Sequence, residues 1–315
     1  MKAVYRHELS SHFTGLTGYV FGAFLLLFAG VFTMVFNIDA KLAHFEYVLG
    51  NSYMPLVFVI AVPILTMRVI SEERKQKTDQ LLYSLPISMT QVVLGKYLAL
   101  LTVLLIPTVI IGLYPLLLSA YGDVYIPAAM GAVAGFFLLG AALLAIGMFI
   151  SSCTESQAVA AGICFVVMLL NYFIADLATY VGAEAFTSYI AFAVVLLVAV
   201  GIVYFMTKNF FICLVACALT QGGLLTWYLL DSSSFSGSFG ALIGKLSLFE
   251  QFYTFIAGVF DLKSVVYLAS ICALFVFLTV HSRFSSHTFS FTFNMLFLQA
   301  KLIQRYFQPS HLHLL

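Results

Sequence analysis

The chain has 315 residues, of which 63% are hydrophobic and 9% are charged, and its formal net charge is +1. A soluble domain of this length needs a far more polar surface, so the composition excludes an ordinary globular protein and indicates a polytopic membrane protein. The near-neutral charge, without a dense basic stripe, also argues against nucleic acid as a partner. The lipid bilayer is the expected surrounding of most of the chain.

Eight apolar runs come close to or exceed the roughly 20 residues that a helix needs to cross a bilayer. They are continuous rather than alternating, which predicts helices and not the strands of a membrane barrel. The predicted fold class is therefore all-α, a polytopic helical membrane protein with six to eight transmembrane helices. In chain order the candidate spans lie at about 16–36, 53–70, 92–120, 127–150, 158–177, 188–206, 210–230 and 264–280.

The segment before the first run mixes apolar and charged residues. Val4, Leu9 and Phe13 stand among charged neighbours, a pattern compatible with a short helix lying in the inner membrane interface. No small-residue cleavage site follows the first apolar run, so no signal peptide is expected.

Small and polar residues inside the runs bear on helix contacts. Gly18-x-x-x-Gly22 and Gly131-x-x-x-Gly135 have the spacing that lets two backbones approach closely, although glycine is common in membrane helices whatever they touch. Gln221, in the seventh candidate span, marks either a polar point in a pathway or a hydrogen bond between helices.

The lysines and arginines predict the orientation of the chain. With a cytoplasmic N-terminus and eight spans, 11 of the 14 basic residues fall on the cytoplasmic side, and Lys41, Lys245 and Lys263 fall outside. The opposite orientation would reverse this count against the positive-inside rule. Both termini and the loop at 71–91 are therefore expected in the cytoplasm.

The chain lacks the usual sequence motifs of enzymes and of ion-coupled carriers. The chain has no G-x-x-x-x-G-K-[ST] phosphate loop, no G-x-S-x-G and no H-E-x-x-H. Asp176 is expected at the outer end of the fifth span, Glu155 in the turn before it, and Lys96 near an inner end. The spans are thus expected to hold no acidic or basic side chain in the membrane interior. Any transport would then draw its energy from a partner.

Metal ligands are not expected in this chain. Cys213 and Cys217 are one helical turn apart, but no histidine or acid accompanies them. His311 and His313 near the C-terminus have the character of solvated polar residues.

One stretch, at 68–88, concentrates charge, with four of the 14 basic and three of the 13 acidic residues. On a helix that continues the second span, Glu73 and Lys77 are four residues apart and can pair in the favourable order. Pro86 then ends the segment, because proline disfavours helix in the residue before it. The pattern predicts a charged helix end, a turn and a short apolar-faced helix in the cytoplasm, unless the stretch is an ordinary solvated loop.

Residues 71–88, Ser-Glu-Glu-Arg-Lys-Gln-Lys-Thr-Asp-Gln-Leu-Leu-Tyr-Ser-Leu-Pro-Ile-Ser, resemble the first cytoplasmic loop of the ABC-2 class of ABC-transporter permease subunits. In that class a Glu-Glu-Arg, a threonine, a Leu-Leu and a proline recur. Residues 246–267 are similar to the segment before the last span in its gliding-motility and copper-processing-like branch. The resemblance covers about residues 1–280.

The resemblance implies a permease subunit of an ATP-binding cassette transporter, and specifically an exporter, in the plasma membrane or the inner membrane of a bacterium. It implies no enzyme activity and no cofactor in this chain, because ATP and magnesium belong to a separate ATP-binding cassette subunit. A second permease copy or a paralogue would complete the pathway. The positions carried over as coupling residues toward the ATPase are Glu72, Glu73, Arg74, Thr78 and Leu82.

The resemblance also divides the chain. Residues 1–283 are expected to form the transmembrane permease domain with its coupling loop at 71–91, and residues 284–315 a cytoplasmic tail. The tail departs from the family, and a frameshifted terminus and an added interfacial helix at about 295–307 both fit its composition. An ion-coupled secondary transporter or channel, and a membrane scaffold or sensor without transport, remain alternative functions.

Overall fold

The computed structural model describes residues 1–76, 88–180, 184–207, 210–258 and 261–282. Within these ranges the regular structure is helical and no strand occurs, which confirms the predicted all-α fold. A helix satisfies its backbone hydrogen bonds internally, which is what an apolar chain requires in a bilayer. The tail predicted at 284–315 lies outside the described residues.

The helices are numbered in chain order. They are α1 (Lys2–Thr14), α2 (Thr17–Thr33), α3 (Glu46–Gly50), α4 (Tyr53–Thr66), α5 (Ser71–Gln76), α6 (Met89–Leu118), α7 (Ile126–Cys153), α8 (Gln157–Tyr180), α9 (Ala185–Thr207), α10 (Phe210–Leu230), α11 (Ser238–Leu246), α12 (Leu248–Ile256) and α13 (Leu262–Ser282). Helix α2 continues as a π-helix, Met34–Asp39, and a short 3₁₀ turn, Ser233–Phe235, precedes α11.

Six helices of the described chain are long and apolar enough to cross a membrane: Thr17–Asp39, Tyr53–Gln76, Met89–Leu118, Ile126–Cys153, Gln157–Ile174 and Leu262–Ser282. A seventh is added if Leu214–Leu230 and Ser233–Gly244, which meet at 113°, form one broken span. The predicted range of six to eight therefore holds, but the full set of eight candidates does not. The candidate at 188–206 falls in α9, whose apolar stretch within the described residues, Ala185–Leu197, is shorter than a span.

Helix α7 is the centre of the bundle. It packs against α3, α4, α6, α8 and α12, and 78% of its apolar window is buried, whereas the value is 17% for α13. Glycines allow this close packing, since a Cβ on Gly147 would lie 2.5 Å from the Thr66 side chain and one on Gly140 would lie 3.0 Å from Phe58. Peripheral helices such as α13 keep apolar faces for lipid.

The two glycine pairs noted in the sequence each place one glycine in a close contact. A Cβ on Gly18 would lie 2.8 Å from the His12 carbonyl oxygen, at the corner between α1 and α2, and one on Gly135 would lie 2.7 Å from Phe255. Their partners at 22 and 131 have no described atom within 4 Å of a built Cβ. Gly18 thus marks the corner between α1 and α2, and Gly135 lets Phe255 of α12 pack closely on α7.

Gln221 makes a hydrogen bond between helices, which was one of the two interpretations that the sequence allowed. Its Nε2 donates to the Ala193 carbonyl oxygen at 3.1 Å, which joins α10 to α9. The amide therefore holds two neighbouring helices together at a point where both are otherwise apolar.

Candidate functional site

The candidate site lies at the end of the bundle that carries α1, α5, the first turns of α6 and the last turn of α7, here called the charged end. Helix α4 stops at Thr66, and a turn leads into α5 at Ser71. The first N–H groups of a helix lack intrahelical partners. Ser151 of α7 supplies one, because its Oγ accepts from the backbone N–H groups of Ile70 and Ser71, both at 3.2 Å.

Ser151 also fixes the other side of the same turn. Its hydroxyl donates to the Met67 carbonyl oxygen at 3.3 Å, so one side chain contacts the residues both before and after the turn. The junction between α4 and α5 is thereby attached to the most buried helix of the bundle.

Lys96, on the second turn of α6, lies at the centre of the charged end. Its side chain is 2% exposed, and its ammonium is 2.8 Å from Glu73 Oε1 of α5 and donates to the Val69 carbonyl oxygen at 2.9 Å. It also donates to Glu8 Oε1 of α1. An ammonium has three N–H donors, and here three acceptors surround it. We call Lys96 with Glu8 and Glu73 the Lys96 bridge.

Helix α1 reaches this bridge because it lies against α6. Val4 packs on Gly95, where a built Cβ would be 3.2 Å from Val4, and the Tyr5 and Thr102 hydroxyls are 3.0 Å apart. The helix predicted before the first span is thus present, although its position in the membrane interface stays a prediction. Its contacts with α6 turn Glu8 toward Lys96.

Glu72 has a different environment from Glu73. Arg68 donates to it twice, from Nε to Oε2 at 3.0 Å and from Nη2 to Oε1 at 3.2 Å. Both side chains are partly exposed, so the pair is screened by water and contributes little to stability. The pair connects the turn before α5 to the first turn of that helix.

Of the predicted coupling residues, Glu72, Glu73 and Arg74 lie on α5, whereas Thr78 and Leu82 lie outside the described residues. The Arg74 side chain is half-buried and makes no ion pair with another residue in the described part of the chain. Glu73 turns inward to Lys96, and its predicted pairing with Lys77 stays a prediction because 77 is also outside these ranges.

Sequence reasoning placed Lys96 near the inner end of a span but missed its burial, and it missed Glu8 as its partner. The expectation that the spans hold no buried charge is wrong for Lys96, which is buried beside two carboxylates. An available signal was a lone lysine within the otherwise apolar start of a span, since such a charge needs a partner. The identity of that partner was not readable, because Glu8 is 88 residues away in the chain.

A cavity of about 600 Å³ lies between α1 and the α4–α5 junction. His12 of α1 lines it, is 7% exposed, and has a pKa below its usual value, chiefly because burial disfavours the charged ring. The neighbouring Lys96 and Arg68 lower that pKa further, whereas Glu8 opposes the shift. The remaining polar lining includes His7, Ser11, Glu72 and Gln76.

The model of a family described as ABC-2 family transporter protein matches residues 3–285. The chain belongs to the ABC-2 transporter family. No curated protein matches it. As an ABC-2 protein it is a multi-pass membrane permease of an ABC transporter, in agreement with the resemblance of residues 71–88. Its assignment to the gliding-motility and copper-processing-like branch stays a prediction.

Proposed function

We propose that this ABC-2 permease is the membrane subunit of an exporter driven by a separate ATP-binding cassette subunit, which docks on the loop at 71–91. The proposal rests on the difference between the two sides of α5. Its inner side is attached to the bundle through Ser71 and Glu73, whereas Arg74 carries a positive charge without an ion pair among the described residues. A helix built in this way can receive force from a partner and pass it inward.

Docking through Arg74 has a clear chemical basis. A guanidinium forms two parallel hydrogen bonds to a carboxylate, so it recognises an acidic surface with defined geometry. Movement of α5 would then reach α4 through the junction and α7 through Ser151. Helices α4 and α7 belong to the two most buried spans of the described bundle. ATP and magnesium would remain on the partner, and a second permease copy or a paralogue would enclose the pathway.

The distribution of charge supports a cytoplasmic position for the charged end. With six spans and a cytoplasmic N-terminus, Lys208 moves outside with Lys41, Lys245 and Lys263, which leaves 10 of the 14 basic residues inside. The orientation therefore satisfies the positive-inside rule with six spans as it does with eight.

The buried charge of Lys96 does not favour an ion-coupled carrier. A coupling residue must exchange its partner during transport, and it usually faces a pathway near the bilayer midplane. Lys96 lies at one end of the bundle, where its ammonium donates to Glu8 and to the Val69 carbonyl oxygen and forms an ion pair with Glu73. Its place fits a structural connection.

The test is to purify the affinity-tagged chain from the membrane of its own host and to assay ATP hydrolysis. We expect an ATP-binding subunit to co-purify and the complex to hydrolyse ATP. After removal of that subunit, the chain alone should neither bind nor hydrolyse ATP. Hydrolysis by the homogeneous chain, or purification without any ATP-binding partner, would contradict the proposal.

A further inference from the structure

The Lys96 bridge joins three helices that are far apart in the sequence. Glu8 belongs to α1, Glu73 to α5 and Lys96 to α6, and one ammonium contacts both carboxylates. The side chains of the two glutamates are 15% and 20% exposed, so the contact is largely shielded from water. A shielded ion pair is screened far less than one at the surface.

Helix α1 and helix α5 have little else that would make them move together. Helix α1 packs along α6 through Val4 and Tyr5, whereas α5 packs against the ends of α7 and α8. The 600 Å³ cavity separates α1 from the α4–α5 junction, and Lys96 lines this cavity. The ammonium therefore connects two elements across a gap that side-chain packing leaves open.

The electrostatics of the bridge make this connection dependent on Lys96. Two carboxylates facing one another repel, and the ammonium between them reverses the sign of the interaction. Without that charge, Glu8 and Glu73 would both gain by moving apart into the cavity that they line. Other contacts keep each helix near its own neighbours, but no comparable contact between described residues would hold α1 to α5.

We propose that Lys96 is a positioning residue through which movement of α5 is passed to α1 and α6. The N-terminal helix would then move with the coupling loop during the transport cycle instead of serving as a passive interfacial anchor. This inference rests on the proposed function for its role in transport. The mechanical connection itself can be tested on the permease alone.

The first experiment measures the distance between α1 and α5 by electron paramagnetic resonance. Spin labels are placed at the exposed positions Ser10→Cys and Gln76→Cys, in a chain whose native cysteines are replaced, after purification into lipid nanodiscs. We expect one narrow distance distribution in the parent protein and a broad one, shifted to longer distances, in Lys96→Met. The exposed Lys263→Met variant is the matched control and should keep the narrow distribution.

A second variant covers the case in which Lys96→Met does not fold. Glu8→Ala leaves Lys96 paired with Glu73 and with the Val69 carbonyl oxygen, so the buried charge stays compensated. It should broaden the distribution in the same way, because the α1 side of the bridge is lost. A narrow, unshifted distribution in Glu8→Ala would overturn the inference.

The second experiment uses the complex with the co-purified ATP-binding subunit. Glu8→Ala should leave the amount of bound subunit unchanged and should lose the stimulation of ATP hydrolysis by the permease. If Glu8→Ala keeps full stimulation of ATP hydrolysis although its distance distribution is broad, then α1 can move independently of α5 without affecting the activity. That result would overturn the role of the Lys96 bridge in transport. If the parent chain binds no ATP-binding subunit, the proposed function fails, while the distance measurement still decides the connection.

Discussion

The two ends of this permease are held together by different kinds of contact. At the charged end, Lys96 and Ser151 make directional ion pairs and hydrogen bonds between helices. At the opposite end, aromatic rings surround Phe235, with ring centroids 5.7 Å away for Tyr228 and 5.8 Å away for Trp227. Polar contacts fail when one partner is removed, whereas apolar contacts adjust to changes of shape.

This difference indicates a division of roles between the ends. A polar connection that cannot adjust transmits displacement, because any movement of one partner must move the other or break the contact. A cluster of rings allows sliding at small cost, as the preferred edge-to-face and offset arrangements span a range of distances. We therefore expect the charged end to drive conformational change and the aromatic end to accommodate it.

The largest effect on stability is expected from Lys96→Met. It removes the counter-charge that Glu8 and Glu73 share, and removing one partner of a pair shielded from water costs up to about 3–5 kcal/mol. The free energy of unfolding in mixed detergent micelles measures the loss. Lys263→Met, an exposed lysine at the opposite end, should change it by less than about 0.5 kcal/mol.

Replacement of all three members of the bridge sharpens the interpretation. The variant Glu8→Gln, Glu73→Gln, Lys96→Met removes the uncompensated charges and should recover much of the stability that Lys96→Met alone loses. If Lys96→Met is as stable as the parent chain, the bridge contributes no stability.

At the aromatic end, Phe235→Ala should cost about 3 kcal/mol, because it removes a ring that is 5% exposed and contacts several others. Phe235→Leu should cost less than half as much, since a residue of similar size can be accommodated. Equal losses for the two variants would show that this cluster is as intolerant of changes in shape as the charged end.

Ser151→Ala should cost about 1–3 kcal/mol. It removes the acceptor for the N–H groups of Ile70 and Ser71 at the start of α5, and unsatisfied buried donors carry a penalty of this size. Amide hydrogen exchange at Ile70 and Ser71 should accelerate relative to that of α4. Ser151→Thr keeps the hydroxyl and serves as the control, and unchanged exchange in Ser151→Ala would remove Ser151 from the junction.

The smallest effect concerns pH. Burial lowers the pKa of His12, so below the usual histidine value of about 6.5 the detached form of α1 binds a proton more readily than the packed form. The attachment of α1 should therefore be constant above about pH 7 and should weaken as the pH falls from about 7 to about 5.5. Limited proteolysis of α1 measures this.

The His12→Asn variant should lose this dependence on pH, whereas His7→Asn, at an exposed position of the same helix, should retain it. Glu8, Glu72, Glu73, Lys96 and Arg68 line the same cavity as His12. A His12→Asn chain that still loosens between pH 7 and 5.5 would assign the effect to another group.

The sequence was sufficient for the elements whose signal is local. The apolar runs that became α4, α6 and α7 were found within a few residues of their ends, because length and hydropathy decide a span. The 113° break between α10 and α11 was not foreseen, since it lies just beyond the end of the predicted span at 210–230. The count of eight failed at α9, whose apolar stretch within the described residues, Ala185–Leu197, is shorter than a span.

The candidate site was only partly predictable. Residues 71–76 were recognised by their charge and by family resemblance, but the contact of Glu73 with Lys96 depends on how α5 and α6 pack together. The Ser151 contact likewise joins positions about 80 residues apart. A single sequence contains no record of such pairs, so the division of α5 into an inner and an outer side required the structure.

The central claim is that α5 presents Arg74 to an ATP-binding partner, and the charge reversal Arg74→Glu tests it most directly. The change turns an attractive contact with an acidic surface into a repulsive one, which at a close interface costs several kcal/mol, while the half-buried Arg74 has no internal ion pair among the described residues to lose. Co-purification of the ATP-binding subunit and stimulated ATP hydrolysis should both be lost at normal membrane expression, whereas Lys263→Glu should retain both. Full association and full stimulation in Arg74→Glu would contradict the account.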